Sequence, residues 1–444
     1  MRRLAFFTAA LALHAAAMAA PTSILFVGNS YTFGRVDPVM SYNSANVRDL
    51  TAPMYAANPT GANPFEPHPW GGIAGIFKQF TVQAGLNYDV ALSTRNAASL
   101  RGHLLNSNAA GWNLRGNIAS QGWSQMVLQE QSDEPLTARP GLASNPTFFR
   151  GYADKIEDFV HNGAADSFRD RDLFPGATNA DKTAACMLAT GATTSTACNT
   201  VRNTSANLNA SAATQMFLYQ TWARPNLVSG AFQTVTDPVT GAITRTSTPA
   251  TTFFSSLEGM TDELRLSYEA AAALAAADGT GGFAGIAPVG DAFMRAVAEG
   301  LATRDMWGAN AATDGLIDLW FDDGTHASKH GSYLSALTLF GKITGVNPFW
   351  LGAGEIAARD LGISRADALT LQRIAAQQLG FAVPEPGTAW LLLLGLPAVL
   401  RGRGRDMHRR YRAQRPQRPA VPGADAAVAG LGGSGQQAHA AERG

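Results

Sequence analysis

Four short apolar runs, far apart in the chain, do most to limit the fold. The first, Ser23-Ile24-Leu25-Phe26-Val27, reads as a buried strand that runs directly into a turn at Gly28-Asn29-Ser30. Residues 125–129, 216–219 and 283–287 read in the same way, and the last of them ends at Pro288-Val289-Gly290. Between these runs lie long stretches that are helical or irregular in pattern, with helices expected over 261–277, 332–342 and 365–379. Strands spaced like this pair in parallel and are covered by helices, which predicts an α/β fold: a three-layer sandwich around a mainly parallel sheet. With 46% hydrophobic and 15% charged residues, a chain of 444 can bury a sizeable core. Formal net charge is zero, so no nucleic-acid surface is expected.

The ends of the chain differ from the middle. Arg2 and Arg3, an apolar run over 4–17 and the small-x-small site Ala17-Met18-Ala19 follow the order of a secretory signal over 1–19. The folded domain is expected over 20–380. Two stretches rich in Thr, Ala, Asn and Ser, near 174–210 and 228–252, read as surface insertions. The chain's two cysteines, Cys186 and Cys198, fall in the first insertion, and export makes a disulfide staple there the natural expectation. Pro384-Glu385-Pro386, an apolar run over 390–400 and the cluster Arg401-Gly402-Arg403-Gly404-Arg405 come next. This order resembles the PEP-CTERM sorting signal of exopolysaccharide-producing Gram-negative bacteria, over 383–405. The resemblance implies transient inner-membrane anchoring, a dedicated sorting protease as partner, and a periplasmic, cell-surface or secreted destination. Unlike that signal, the chain runs on past the basic cluster, in an Ala/Gly/Gln-rich tail over 406–444 read as disordered.

Two motifs carry chemistry. Ser30 stands just beyond a buried strand, at the sheet edge where α/β enzymes place their sites, and Gly28 lets the backbone turn beside it. The same pattern suits an N-cap serine. Late in the chain, Asp322-Asp323-Gly324-Thr325-His326 precedes a helix, so one turn can present Asp323 and His326 together. A serine needs a base to become a nucleophile, and a histidine oriented by a carboxylate is the usual solution.

Gly28-Asn29-Ser30 paired with a late Asp-x-x-His resembles the first and last blocks of the SGNH (GDSL-like) hydrolases. Residues 127–132, 219–225 and 288–292, and the stretch 323–337, extend the likeness over about 23–345 to an SGNH branch of largely uncharacterised bacterial proteins. The resemblance implies a flavodoxin-like α/β/α sandwich and a serine esterase in which Ser30 is nucleophile, His326 base and Asp323 its orienting carboxylate. It also implies an oxyanion site built from the Ser30 N–H and donors from two further blocks. Where the family has Gly-Asp-Ser, this chain has Asn29. Where it has Gly-x-Asn-Asp, this chain has Gln129-Glu130-Gln131-Ser132, which makes Gln131 the candidate donor with Gln129 as alternative. Where it has a glycine, the nearest region is Arg95-Asn96-Ala97-Ala98-Ser99, leaving the Asn96 or Ala97 N–H.

Trp222 and Arg224 follow a strand and are candidates to line the pocket; core packing for Trp222 and an ion pair for Arg224 are the other readings. His326 and His330 are spaced to share a helix face, but no Glu follows His326 and no third ligand is evident, so no metal is implied. His68 and His103 read as core or surface residues. No cofactor is expected. The expected substrate is an acylated carbohydrate or small ester, with polysaccharide O-deacetylation preferred for its association with the sorting signal. The competing reading is a non-catalytic, exopolysaccharide-associated or cell-surface binding protein on the same fold.

Overall fold

A computed structural model describes residues 20–383, apart from 36, 58–67, 107–111, 230–231, 237–242, 248–251 and 309. The readings of 1–19 as a leader and of 406–444 as a tail fall outside the described residues, and so does the sorting segment over 383–405 apart from Val383. Among those described, no helix is long and apolar enough to cross a membrane.

The protein is an α/β sandwich around a six-stranded parallel sheet. Its strands are β1 (Thr22–Gly28), β2 (Arg48–Asp49), β3 (Tyr88–Thr94), β4 (Gln125–Leu128), β5 (Gln215–Tyr219) and β6 (Gly285–Ala287), in the order β6-β5-β4-β1-β3-β2. β1 is central: Ile24 faces Val90 of β3 on one side and Gln125 of β4 on the other. A strand with a partner on each edge and helices over both faces has no wet side, which is why β1 is an unbroken apolar run. Successive side chains still alternate. Ile24, Phe26, Val90, Leu92, Val127 and Phe217 belong to one core cluster, and Leu25, Val27, Ala91, Met126, Leu128 and Leu218 to the other.

The first cluster packs under helices α2 (Gly72–Gln83), α6 (Val289–Ala298), α7 (Lys329–Thr344) and α8 (Arg365–Gln378). The second packs under α3 (Leu100–Leu105) and α4 (Pro146–His161), while α5 (Leu257–Ala277) contributes to both. As Ser99 does for α3, a serine side chain accepts a first-turn N–H at the start of α5 (Ser256), α7 (Ser328) and α8 (Ser364). These last three match the helices expected from the sequence, with α5 and α7 each beginning about one turn earlier than the apolar pattern indicates.

Leaving out the two-residue edge strand β2, the strands run second, first, third, fourth, fifth in chain order, the flavodoxin-like doubly wound arrangement. After β3 the chain crosses back over β1 to lay down β4. Such a reversal opens a crevice at the carboxyl ends of the strands on either side of it, here β1 and β4.

Several elements were not evident in the sequence. β3 pairs with β1 over its full length, but Asp89, Ser93 and Thr94 interrupt its apolar pattern. Helix α4 was also missed, although Asn145 caps it and Pro146 opens it. The first insertion has secondary structure of its own. A helix over Asn179–Thr190 is capped by Thr178 and Asp181 and closed by Gly191 at φ 66°, and Val201–Thr204 pairs antiparallel with Asp166–Arg169. Cys186 in that helix is bonded to Cys198. In the second insertion, Phe232–Thr236 and Ile243–Ser247 form an antiparallel pair.

Candidate active site

Ser30 opens a four-residue helical turn, α1 (Ser30–Phe33), just beyond the end of β1. The space beside the turn is filled: a Cβ on Gly28 would lie 2.4 Å from both Gln129 Oε1 and Thr32 Oγ1. Asn29 caps the turn, its Oδ1 accepting the Tyr31 N–H (3.0 Å). Its Nδ2 donates to the Ala98 carbonyl (2.9 Å) in the loop after β3. That donor explains asparagine here, since an ionised aspartate has no hydrogen to give. Gln129 Oε1 accepts from the Asn29 N–H (2.8 Å) and the Thr32 hydroxyl (2.9 Å), while its Nε2 donates to the Glu130 carbonyl.

Behind the turn, the Gly28 carbonyl accepts from the Arg95 N–H (3.1 Å) and from His103 Nε2 (2.9 Å). His103 Nδ1 accepts from Trp112 Nε1 (3.0 Å), so the imidazole is neutral and its tautomer set. Burial lowers its pKa to about 4, helped by the Arg95 charge and opposed by the Gly28 carbonyl.

His326 reaches this turn from the loop before α7. Its Nε2 lies 2.8 Å from Ser30 Oγ and its Nδ1 2.6 Å from Asp323 Oδ2. Asp323 Oδ1 accepts the N–H groups of Thr325 (2.8 Å) and His326 (2.9 Å), so the carboxylate organises its own loop. Burial works to raise the Asp323 pKa, but the His326 ring and those two N–H donors outweigh it and hold the carboxyl below its ordinary value. A carboxylate on Nδ1 puts the ring proton there and leaves the Nε2 lone pair facing Ser30. Ser30 is largely buried, 6% exposed.

The Thr325 carbonyl, between Asp323 and His326, accepts from two buried aromatics: Tyr31 Oη (2.7 Å) and Trp222 Nε1 (3.0 Å). The Tyr31 and Trp222 rings stack at 4.1 Å, and Trp222 stacks on Phe293 of α6 at 5.0 Å. The residue after Ser30 thus grips the loop that carries His326. Trp222 is therefore not a pocket-lining residue; it is completely buried and backs the histidine loop. Arg224 is also committed elsewhere. Its Nη1 pairs with Asp133 and donates to Ser132 Oγ (2.9 Å), and its Nε donates to Asn226 Oδ1 (3.2 Å), so the ion-pair reading replaces substrate contact.

The remaining candidates sit on the loops after β3 and β4. Asn96 and Ala97 are the central residues of a turn closed by the Ala98 N–H on the Arg95 carbonyl (3.2 Å), and Ala97 has φ 55°. That is a conformation glycine adopts without strain, so Ala97 stands where backbone geometry favours glycine. Gln131 Oε1 accepts the N–H groups of Asp133 (2.8 Å) and Glu134 (3.1 Å), so a hydrogen bond to a substrate has to come from its Nε2. Gln129, the alternative, has both ends of its amide engaged, Oε1 by the serine turn and Nε2 by the Glu130 carbonyl of its own loop.

His326 precedes α7, which begins at Lys329, so His326 and His330 do not share a helix face. His330 instead lies 3.9 Å from Asp367. His68 pairs with Asp49 and stacks on Trp70 at 3.9 Å. Among the described residues, the group close enough to hold an ion is Asp154, Asp158 and Asp278, which includes no member of the Ser30 site.

No protein-family model matches the chain, and no curated protein matches it. Solved structures with some likeness include a candidate SGNH hydrolase from Slackia heliotrinireducens, 16% identical, covering 73% of this chain and 100% of its own, with a TM-score of 0.32. A DUF4886 family protein from Bacteroides uniformis is 13% identical, covering 83% of this chain and 99% of its own, with a TM-score of 0.39. At these values neither carries argument about the site, and the architecture rests on the strand order above.

Proposed function

We propose that the protein is a serine esterase of the SGNH type. The observation that carries the reading is the continuous chain Ser30 Oγ, His326 Nε2, His326 Nδ1, Asp323, with contacts of 2.8 and 2.6 Å, at the crevice of a doubly wound sheet. Two of its three members arrive from residue 323 onward and the third from residue 30, so nothing local in the sequence brings them together.

In the proposed reaction His326 Nε2 takes the Ser30 hydroxyl proton as Oγ attacks the ester carbonyl carbon. The carbonyl oxygen becomes an oxyanion, held by the Ser30 N–H, the N–H of Asn96 or Ala97, and Gln131 Nε2. Asp323 stabilises the imidazolium without taking its proton. Collapse of the intermediate breaks the bond to the alcohol oxygen, which leaves with the proton from His326. Water, deprotonated by His326, then attacks the acyl-Ser30 carbonyl, and the acid departs as Ser30 recovers its proton.

The test is hydrolysis of short-chain aryl acetates by the full chain beside Ser30→Ala and His326→Ala. Each variant is expected to lose roughly 10⁴-fold or more in kcat, with the double variant little worse than either single one. A folded Ser30→Ala protein that keeps wild-type rates removes the nucleophile assignment, and a wild type without hydrolytic activity favours the binding-protein reading. Polysaccharide O-acetyl groups are the proposed natural target. Export with cleavage after residue 19, and sorting through 383–405, complete the proposal; N-terminal sequencing of secreted protein that finds Met1 retained overturns the leader.

A further inference from the structure

Of the loops that meet at the site, those after β1, β3 and β4 are tied to one another in pairs by side chains. Asn29 joins the turn after β1 to the loop after β3 through the Ala98 carbonyl. Gln129 joins the loop after β4 to the turn after β1 through the Asn29 N–H and Thr32. The third tie, between the loops after β3 and β4, is Glu130. Its Oε1 accepts the Leu100 N–H (2.9 Å) at the start of α3 and the Gln131 N–H (2.6 Å) in its own loop.

Glu130 is 1% exposed. Burial pushes its carboxyl well above the ordinary range and the nearby Glu134 adds to this, while the two N–H donors act against it. A buried carboxyl is costly unless its hydrogen bonds are worth keeping. Here one oxygen collects main-chain donors from two different loops, which no apolar side chain can do. Those loops carry the donors assigned to the oxyanion: Asn96 and Ala97 lie just before Leu100, and Gln131 directly follows Glu130.

We infer that Glu130 is a positioning residue that sets the distance between the two oxyanion-binding loops by holding the Leu100 and Gln131 N–H groups on a single oxygen. The inference rests on the serine-esterase reading above. It concerns an acceptor atom rather than a charge, so a glutamine, which keeps Oε1, substitutes for it and a leucine does not.

The experiment compares Glu130→Gln and Glu130→Leu with wild type in the full chain, using an aryl acetate and counting active sites by the acylation burst. Glu130→Gln is expected to keep kcat per site within about threefold. Glu130→Leu is expected to lose about 10- to 100-fold in kcat per site, with KM within about threefold, because loss of oxyanion donors acts on the transition state. A merely structural role lowers the number of active sites and leaves kcat per site unchanged. Should Glu130→Leu fail to fold, Glu130→Asp, which withdraws the oxygen by one methylene, is expected to show the same kcat loss at constant KM. Wild-type kcat per site in Glu130→Leu, or in Glu130→Asp where that variant is needed, overturns the inference. So does a Glu130→Gln variant as impaired as the leucine. Activity that survives Ser30→Ala overturns the esterase reading itself, whereas Ser30-dependent activity indifferent to Glu130 overturns the positioning role alone.

Discussion

Replacing Asn29 by aspartate changes almost no volume and removes one hydrogen-bond donor at the centre of the site. Asn29 is 3% exposed, with Oδ1 on the Tyr31 N–H and Nδ2 on the Ala98 carbonyl at 2.9 Å. An ionised aspartate at this position keeps the first bond and sets a carboxylate oxygen against a carbonyl oxygen in place of the second. A buried polar group left unpaired costs about 1–3 kcal/mol, and more when charged, so about 3 kcal/mol is expected. That penalty equals a folded-state carboxyl raised by roughly two units above its unfolded value of about 3.9. The penalty is fully present above pH ~6, shrinks as the pH falls toward ~4 and vanishes below it, because the folded state then takes up the proton more readily than the unfolded chain. Protonation also restores a donor to the Ala98 carbonyl. Thermal melts of Asn29→Asp and wild type across pH 4–8 are the assay. The variant is expected to melt several degrees lower at pH 8 and to converge on wild type near pH 4. Coincident melting at pH 8, or a gap that does not change with pH, refutes the role assigned to Nδ2.

Trp222→Phe keeps a ring in the Tyr31–Phe293 stack but removes the Nε1 bond to Thr325; steady-state kinetics are expected to show kcat lowered about three- to tenfold with KM nearly unchanged, in line with one hydrogen bond worth about 1 kcal/mol, and an unchanged kcat removes Trp222 from the positioning of His326. His103, held neutral by burial with a pKa of about 4, must take up a proton on unfolding below pH ~6.5, so its contribution to stability is present above pH ~6.5 and is lost as the pH falls toward 4, by an amount on the order of 3 kcal/mol. Stability curves for wild type and His103→Gln are expected to differ in slope across that window, with the variant flatter; parallel curves contradict the buried neutral assignment. Serine at both Cys186 and Cys198 opens a loop with a sequence separation of 12 and is expected to lower stability by about 2–3 kcal/mol while leaving kcat unchanged, as read from melts and turnover on one preparation.

The class of fold was legible because a strand buried on both faces has to be an uninterrupted apolar run, and such runs stand out over 23–27 and 216–219. Ser30, Asp323 and His326 could be singled out for a similar reason: a strand-end serine and an Asp-x-x-His turn are local patterns. Elements whose environment is mixed were not legible. β3 carries Asp89 beside Ser23 near the start of β1 and pairs in parallel with that strand's whole length, a fact that only the neighbour's register reveals. The roles of polar and aromatic side chains near the serine were likewise decided by tertiary contacts. Gln129 and Gln131 are two residues apart and chemically identical, yet Gln129 Oε1 holds the serine turn while Gln131 Oε1 accepts main-chain N–H groups of its own loop. Trp222 looked like a pocket residue because it follows a strand end, but the stack with Tyr31 and Phe293 draws it under the site. Periodicity and residue type report whether a segment is buried and what chemistry it can perform. Which partner saturates a given donor or acceptor depends on residues about 100 to 300 positions away, as Asn29 with Gln129 and Ser30 with His326 show, and only the folded chain supplies that partner.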